Sequence, residues 1–225
     1  MKPDTNGRRK WKNEPLILFV EGYSDLTFYA ELMEHIGLID RCFIQDLGGK
    51  GREKLRNEAS LLLKPDNLAR ISAVGVLLDA DDDAARAFEL ARNALKDVVE
   101  VEIPRMGEWV QAGDSNVRFG VFIVGGTGQQ VEVESLAWAA WSGKRDNRTF
   151  RGCVDDFVKC AAGCGKKLKS IDKVRIGAVL SVLNEDDPRL GPGTSAKAFD
   201  FEAAEFAALR KFLQTMTTEA RAGGA

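Results

Sequence analysis

Carboxylate side chains follow two continuous apolar runs of strand length. Glu21 comes directly after the run Leu16–Val20, and Asp79 and Asp81 come directly after a second such run. Ligands of parallel α/β sheets bind beyond the carboxyl ends of the strands, so these side chains should meet if the two strands are neighbours. Oxygen ligands without Cys or His select a hard cation. The pattern therefore predicts a Mg2+ or Mn2+ site.

The same carboxylates also have ordinary structural explanations. Adjacent strands lie about 4.8 Å apart, and like charges about 4 Å apart repel by roughly 4 kcal/mol at an effective dielectric constant of 20. Such a cluster needs a cation or a raised pKa, which favours metal binding at Asp79 and Asp81. Asp83 could equally cap a helix N-terminus. Glu21 taken alone could be a functional residue or an ordinary loop acid.

A glycine-rich turn, Gly48–Arg52, opens a predicted helix. Backbone N–H groups at such a turn, together with Lys50, could bind a phosphate, so Gly49, Lys50 and Arg52 are candidate phosphate or nucleic-acid contacts. The spacing is not that of a Walker loop. A plain connection between a strand and a helix explains the turn equally well.

A second basic stretch is interleaved with aromatic residues. Charge combined with base stacking is typical of nucleic-acid surfaces. A solvated loop is nevertheless the preferred interpretation, because a net charge of −2 and a pI near 5.7 give no general sign of nucleic-acid binding. Trp138 and Trp141, at helical spacing, are expected in the core. The residues of the stretch are Lys144, Arg145, Arg148 and Arg151, with Trp141 and Phe150.

The elements that must position these residues alternate along the first half of the chain. Apolar runs predict strands at 16–20, 42–47, 71–78 and 117–124. Helices are predicted between them at 25–36, 52–63 and 84–95, the first capped by Ser24 or Asp25. This alternation is typical of a parallel α/β sheet flanked by helices.

Beyond residue 125 the pattern becomes helical. Helices are predicted at 133–141, 153–162, 171–183 and 202–216, with a Gly/Pro loop at 191–193. The predicted organisation is a flexible basic leader (1–14), an α/β domain (15–130) and a C-terminal helical subdomain packed on it (131–225).

Composition excludes several classes of protein. The 225 residues, 44% of them hydrophobic, are enough for a core with an added subdomain. No apolar run approaches the ~20 residues that cross a bilayer, and the N-terminus lacks a secretory signal, so we expect a cytoplasmic protein without membrane contact. A single histidine, His35, makes Ser-His-Asp or Cys-His catalysis improbable. Three clustered cysteines lack zinc-site spacing and are expected to be buried, reduced thiols: Cys153, Cys160 and Cys164.

Three of these segments together resemble a Toprim domain, the metal-binding unit of topoisomerases, bacterial primases and OLD-family nucleases. They are FVEGYSD (19–25), LLDAD (77–81) and, between them, DLGGK (46–50). The resemblance is closest to an uncharacterised Toprim-like family near the OLD nucleases. In that family, a glycine and then an acidic residue near a leucine follow these segments. Gly128 and Glu134 resemble that pattern in this chain.

The resemblance implies a Toprim-like sheet and Mg2+-dependent (or Mn2+-dependent) hydrolysis of nucleic acid, DNA more than RNA, with a role in phage defence or DNA repair. Glu21 would act as general acid or base or as a metal ligand. Asp79 and Asp81 would be catalytic and hold the metal, with Asp83 and Glu134 as further ligand candidates. No ATPase or zinc-ribbon module is recognisable, which disfavours a topoisomerase or a complete primase.

Two other functions remain open from the sequence. One is a non-catalytic nucleic-acid-binding or assembly subunit that works with a partner ATPase. The more remote one is a receiver-like regulator with a phosphoacceptor aspartate at a strand end, against which the Glu21-Gly22 element argues.

Overall fold

The chain forms a mostly parallel five-stranded sheet flanked by helices, which confirms the predicted α/β fold. The computed structural model describes residues 11–48, 51–80, 83–113, 115–125 and 132–217, with the backbone alone at 51–53. Its strands are β1 (Leu16–Val20), β2 (Cys42–Asp46), β3 (Ala73–Asp79), β4 (Trp109–Gln111) and β5 (Arg118–Val124). Its helices are α1 (Tyr23–His35), α2 (Gly51–Leu62), α3 (Pro65–Leu68), α4 (Ala84–Val99), α5 (Val133–Ser142), α6 (Arg148–Gly163), α7 (Ile171–Leu183), α8 (Leu190–Ser195) and α9 (Ala207–Thr215).

The order of the strands across the sheet is β2-β1-β3-β5-β4. Strands β1, β2, β3 and β5 are parallel, and β4 pairs with β5 in the antiparallel direction. The chain passes from β1 to β2 on one side and then returns to β3 on the other side of β1. The order therefore reverses between β1 and β3, and such a reversal opens a crevice at the carboxyl ends of the two strands.

Two hydrophobic cores lie on the opposite faces of the sheet. In β1, Leu16, Leu18 and Val20 face one core, which also contains residues of α1, α5, α7 and α9. Ile17 and Phe19 face the other core, together with residues of α2 and α4. All five β1 side chains are fully buried. A strand buried on both faces has no polar alternation, which is why β1 is a continuous apolar run in the sequence.

Helix α1 begins earlier than predicted. Its N-cap is Gly22, so the prediction that Ser24 or Asp25 occupies this position was wrong. Asp25 is the third helical residue, and its carboxylate accepts a hydrogen bond from the Gly22 N–H at 2.9 Å. The carboxylate thus satisfies a terminal backbone donor from inside the first turn.

The Gly/Pro segment predicted as a loop at 191–193 is part of α8. Its glycines allow this short helix to pack closely against its neighbours. A Cβ atom at Gly191 would lie 2.5 Å from the Thr27 Cβ, and one at Gly193 would lie 2.3 Å from the Leu180 Cδ2. The glycines therefore serve close packing here and do not mark a loop.

The predicted helix at 202–216 is divided into a 3-10 turn, Ala204–Phe206, and α9. The three-residue strand β4 was not predicted, because so short a segment shows no clear period. Within the described ranges, no helix is both long enough and apolar enough to cross a membrane.

Candidate functional site

The crevice between β1 and β3 brings two of the predicted site residues to the same edge of the sheet. Val20, the last residue of β1, lies beside Leu77 of β3. Glu21 directly follows β1, and Asp79 is the last residue of β3. The two carboxylates interact, because the charge of Glu21 helps to raise the pKa of Asp79.

Helix α1 adds a third carboxylate, that of Asp25. Its hydrogen bond from Gly22 holds it at the start of the helix, next to the end of β1. The sequence analysis considered Asp25 only as a helix cap. The signal that could have identified it is its spacing from Glu21. Asp25 lies four positions after Glu21, so one acid directly follows the strand and the other lies in the first turn of the helix that follows.

Helix α5 adds a fourth carboxylate, that of Glu134, which is only 7% exposed. The first residue of α5, Val133, donates its backbone N–H to Asp79 Oδ1 at 3.2 Å. This bond joins the start of α5 to the end of β3. It also places the positive end of the helix dipole beside the Asp79 carboxylate.

Lys173, from the first turn of α7, is the cation of this cluster. Its ammonium lies 3.2 Å from Glu132 Oε2 and 3.7 Å from Glu134 Oε1. The Ser170 hydroxyl caps α7 by accepting from the Lys173 N–H. Partial burial opposes the charge on the ammonium, but Glu134 and Glu132 outweigh it and raise the pKa of Lys173. Sequence reasoning did not identify this lysine, because only the packing of α7 on α5 brings it here.

Burial and mutual repulsion raise the pKa values of the clustered carboxyls. Burial, followed by the charges of Glu134 and Glu21, raises the pKa of Asp25 to about 7, against a smaller opposing effect of Lys173. Burial is also the main reason that the pKa of Asp79 lies well above its ordinary value, and the other three carboxylates add to it. Burial likewise raises the pKa of Glu134, although Lys173 opposes this shift.

The arrangement suits a hard cation in its chemistry. Glu134 Oε2 is buried and has no hydrogen-bond partner among the described residues, so it is an acceptor open to a cation. Carboxylate oxygens are the ligands that Mg2+ and Mn2+ prefer. Within the described ranges, no group of three or more His, Cys, Asp or Glu side chains could hold a metal ion as it stands. The carboxylates would therefore have to converge by rotation about their side-chain bonds when a cation enters.

Several predicted site residues lie outside the described part of the chain. These are Gly49, Lys50, Asp81 and Gly128, and Arg52 is described in its backbone only. Asp83 is the N-cap of α4, where its carboxylate accepts from the Arg86 N–H at 2.9 Å. This is the capping role that the sequence analysis had left open beside metal binding.

The remaining sequence predictions have mixed outcomes. The thiols of α6 and its C-cap, Cys153, Cys160 and Cys164, are exposed, so the prediction that they are buried was wrong. Helix α6 buries only Val154 and Val158, and the cysteines lie on other faces. Trp138 and Trp141 are buried and stack at 5.6 Å, as expected for core residues.

Comparisons with known proteins give a family but no activity. The model of a family described as "Protein of unknown function (DUF3226)" matches residues 15–218 of the chain. No curated protein matches it. A solved structure, the C-terminal region of the Xanthomonas campestris pv. campestris OLD protein, is similar with a TM-score of 0.44 and 15% identity, over 89% of this chain and 94% of that one. A TM-score this low carries no conclusion about activity, and the Toprim assignment stays a prediction.

Proposed function

The chain belongs to the DUF3226 family of proteins of unknown function, and we propose that it hydrolyses phosphodiester bonds of nucleic acid, DNA more than RNA, with Mg2+ or Mn2+. The observation that supports this proposal is the meeting of four acidic residues at one crevice. Glu21, Asp25, Asp79 and Glu134 come from three separate parts of the chain, and burial disfavours the charges of Asp25, Asp79 and Glu134 and raises the pKa of each. Clusters with such perturbed pKa values are frequent at functional sites.

The proposed division of work follows from the position of each group. Asp79 and Glu134, with Asp81 as a further ligand, would hold the cation through carboxylate oxygens. A cation there would supply Lewis-acid chemistry, polarising the phosphate and lowering the pKa of a water molecule. Glu21 or Asp25 would accept a proton from the attacking water as its oxygen bonds to phosphorus, while the bond from phosphorus to the leaving oxygen breaks and that oxygen takes up a proton from solvent.

Lys173 supplies a positive charge at the rim of the same crevice. Its side chain is 56% exposed, so the ammonium can reach a ligand in solution while it remains paired with Glu132. A phosphate oxygen is an anionic partner of the same kind as these carboxylates. We therefore assign Lys173 to phosphate binding in the proposed reaction.

The proposal is tested with purified protein, DNA and RNA substrates, and Mg2+, Mn2+ or EDTA. We expect cleavage with either cation and none with EDTA. Asp79→Asn keeps an oxygen that can accept from the Val133 N–H, and Glu21→Gln keeps the side-chain size, so both should fold and lose activity. Glu102→Gln is the matched control, because Glu102 forms a surface ion pair with Lys96 at 2.8 Å and should cleave normally.

Cleavage that persists in both Asp79→Asn and Glu21→Gln would overturn the assignment of the site. Binding of Mn2+ and nucleic acid without cleavage under any condition would instead favour a non-catalytic subunit. Mn2+ binding, measured by calorimetry in the same variants, separates these outcomes from a simple failure to fold.

A further inference from the structure

The connection between α6 and α7, residues 164–170, carries three lysines and no acidic residue. Lys166, Lys167 and Lys169 are exposed, and Leu168 between them is half-buried. Their charge is not offset nearby along the chain, because residues 157–171 contain no Asp or Glu. The connection is therefore a local positive patch on a protein whose formal net charge is −2.

The three lysines have no acidic partner in the part of the chain that the structure describes. The acidic residues on either side of the connection are already paired. Asp156 lies 3.0 Å from the Lys159 ammonium. The Arg175 guanidinium lies 2.8 Å from Asp155 and 2.9 Å from Asp172. The ammonium groups of the connection are therefore open to an anion from outside the chain.

The basic stretch at 144–151 is less available to such an anion. Lys144 lies 3.4 Å from Asp200, and Arg151 lies 3.6 Å from Asp155. These carboxylates neutralise part of its charge within the chain. The α6–α7 connection is therefore the stronger candidate for an anionic partner.

Helix caps hold both ends of the connection. At the end of α6, Gly165 adopts the left-handed conformation with φ of 75°, and the Lys166 N–H donates to the Ala161 carbonyl at 3.4 Å. At the start of α7, the Ser170 hydroxyl accepts from the Lys173 N–H at 3.2 Å. The path of the backbone between the two helices is thus fixed at both ends, which limits the entropy lost when a partner binds.

The connection leads directly to the crevice. Lys173, in the first turn of α7, lies 3.7 Å from Glu134 Oε1. An extended chain spans at most about 3.6 Å per residue, so the Cα atom of Lys169 lies within about 14 Å of that of Lys173, and that of Lys166 within about 25 Å. Each strand of duplex DNA has one phosphate about every 3.4 Å along the axis, so about seven phosphates fit this length. A strand in the crevice can therefore also contact the lysines.

We propose that the three lysines of the α6–α7 connection bind the phosphate backbone of a nucleic acid next to the crevice. This inference rests on the proposed function, because it takes nucleic acid as the ligand of this region. The lysines position the strand without reading its bases. Binding through them needs no metal ion and persists in EDTA.

The test compares the triple variant Lys166→Gln, Lys167→Gln, Lys169→Gln with the unaltered protein. Fluorescence anisotropy measures the binding of labelled single-stranded and duplex DNA in EDTA, across a series of NaCl concentrations. Three lost phosphate contacts should lower the slope of log K against log salt by about 2 to 3 and weaken binding about 10- to 100-fold at 0.1 M salt. The replaced side chains are exposed and unpaired, so the variant should fold.

A matched control removes the same charge elsewhere, as Lys12→Gln, Lys64→Gln, Lys211→Gln. All three lysines are exposed. Lys12 shortly precedes β1, and Lys64 lies in the connection from α2 to β3, so both are far from the carboxyl ends of these strands. Lys211 is in α9. This control should bind DNA like the unaltered protein.

Equal affinity and equal salt slope of the connection variant and the unaltered protein would overturn the inference and leave the proposed function intact. Equal weakening in both triple variants would also overturn the inference, because total charge and not its position would then govern binding. DNA binding that depends on the connection, without cleavage in Mg2+ or Mn2+, would support the inference and overturn the proposed function.

Discussion

Replacing Asp25 by asparagine should stabilise the metal-free protein at pH 8. The pKa of Asp25 rises from 3.8 to about 7 in the folded chain, chiefly through burial and then through Glu134. The folded state therefore binds this proton more tightly than the unfolded state, so stability is lost as the pH rises from about 4 to about 7. A shift of about 3 units at about 1.4 kcal/mol each corresponds to about 4 kcal/mol. This is an upper value, because neighbouring carboxyls share the titration.

Asparagine removes this cost and keeps an oxygen that can accept from the Gly22 N–H. We therefore expect Asp25→Asn to exceed the unaltered protein in free energy of unfolding by about 2 to 4 kcal/mol at pH 8 and by little at pH 4.5. The assay is urea unfolding followed by tryptophan fluorescence, in EDTA, across this pH range. Asp66→Asn, an exposed aspartate in the first turn of α3, is the control and should show no such pH-dependent gain.

Two outcomes would refute the reasoning about Asp25. One is a variant less stable than the unaltered protein at pH 8, which would mean that the folded chain stabilises the Asp25 charge. The other is a difference that does not change between pH 4.5 and pH 8, which would mean that the effect is not electrostatic. Added Mg2+ should then reverse the ranking, because a cation stabilises the charged cluster only where all its carboxylates are present.

The remaining predictions concern packing and thiol exposure. Gly193→Ala should destabilise the protein by about 1 to 3 kcal/mol, because its Cβ would clash with the Leu180 side chain in the core. Gly152→Ala should stabilise the protein by up to about 1 kcal/mol, because this helical glycine of α6 has open space around its Cβ position. Urea unfolding measures the free energy of unfolding of both variants. Equal effects of the two substitutions would contradict the packing described for α8. A thiol reagent should rapidly label three cysteines of the folded protein, Cys153, Cys160 and Cys164. Cys42 is buried and should be labelled only after unfolding, as counted by mass spectrometry. Slow labelling of the first three would contradict their exposure.

The sequence was sufficient for the elements that carry strong local patterns. The central strands are buried on both faces, so β1, β3 and β5 are long apolar runs and were predicted within a few residues. The acidic residues directly after such runs were found for the same reason. The α8 segment was missed because its glycines serve contacts with Thr27 and Leu180, which lie far away in sequence.

The site was only partly predictable, because helix packing completes it. Glu21 and Asp79 follow from the ends of strands, but Lys173 reaches the crevice only through the packing of α7 against α5. Asp25 was hidden by its second role, since a carboxylate in the first turn of a helix has an ordinary explanation as a cap. Local patterns show where a strand ends, whereas they do not show which distant helix ends beside it.

A physical reason connects the carboxylates and Lys173. Buried acidic groups destabilise a metal-free fold. Among the described residues, Lys173 is the cationic partner of Glu134 through one oxygen, while the other oxygen faces no donor. A purely structural cluster would pair each buried oxygen with a donor, as Asp155 does when Arg175 binds it at 2.8 Å. The Glu134 oxygen that faces no donor among the described residues supports the proposal that this crevice takes a hard cation with its oxygen ligands.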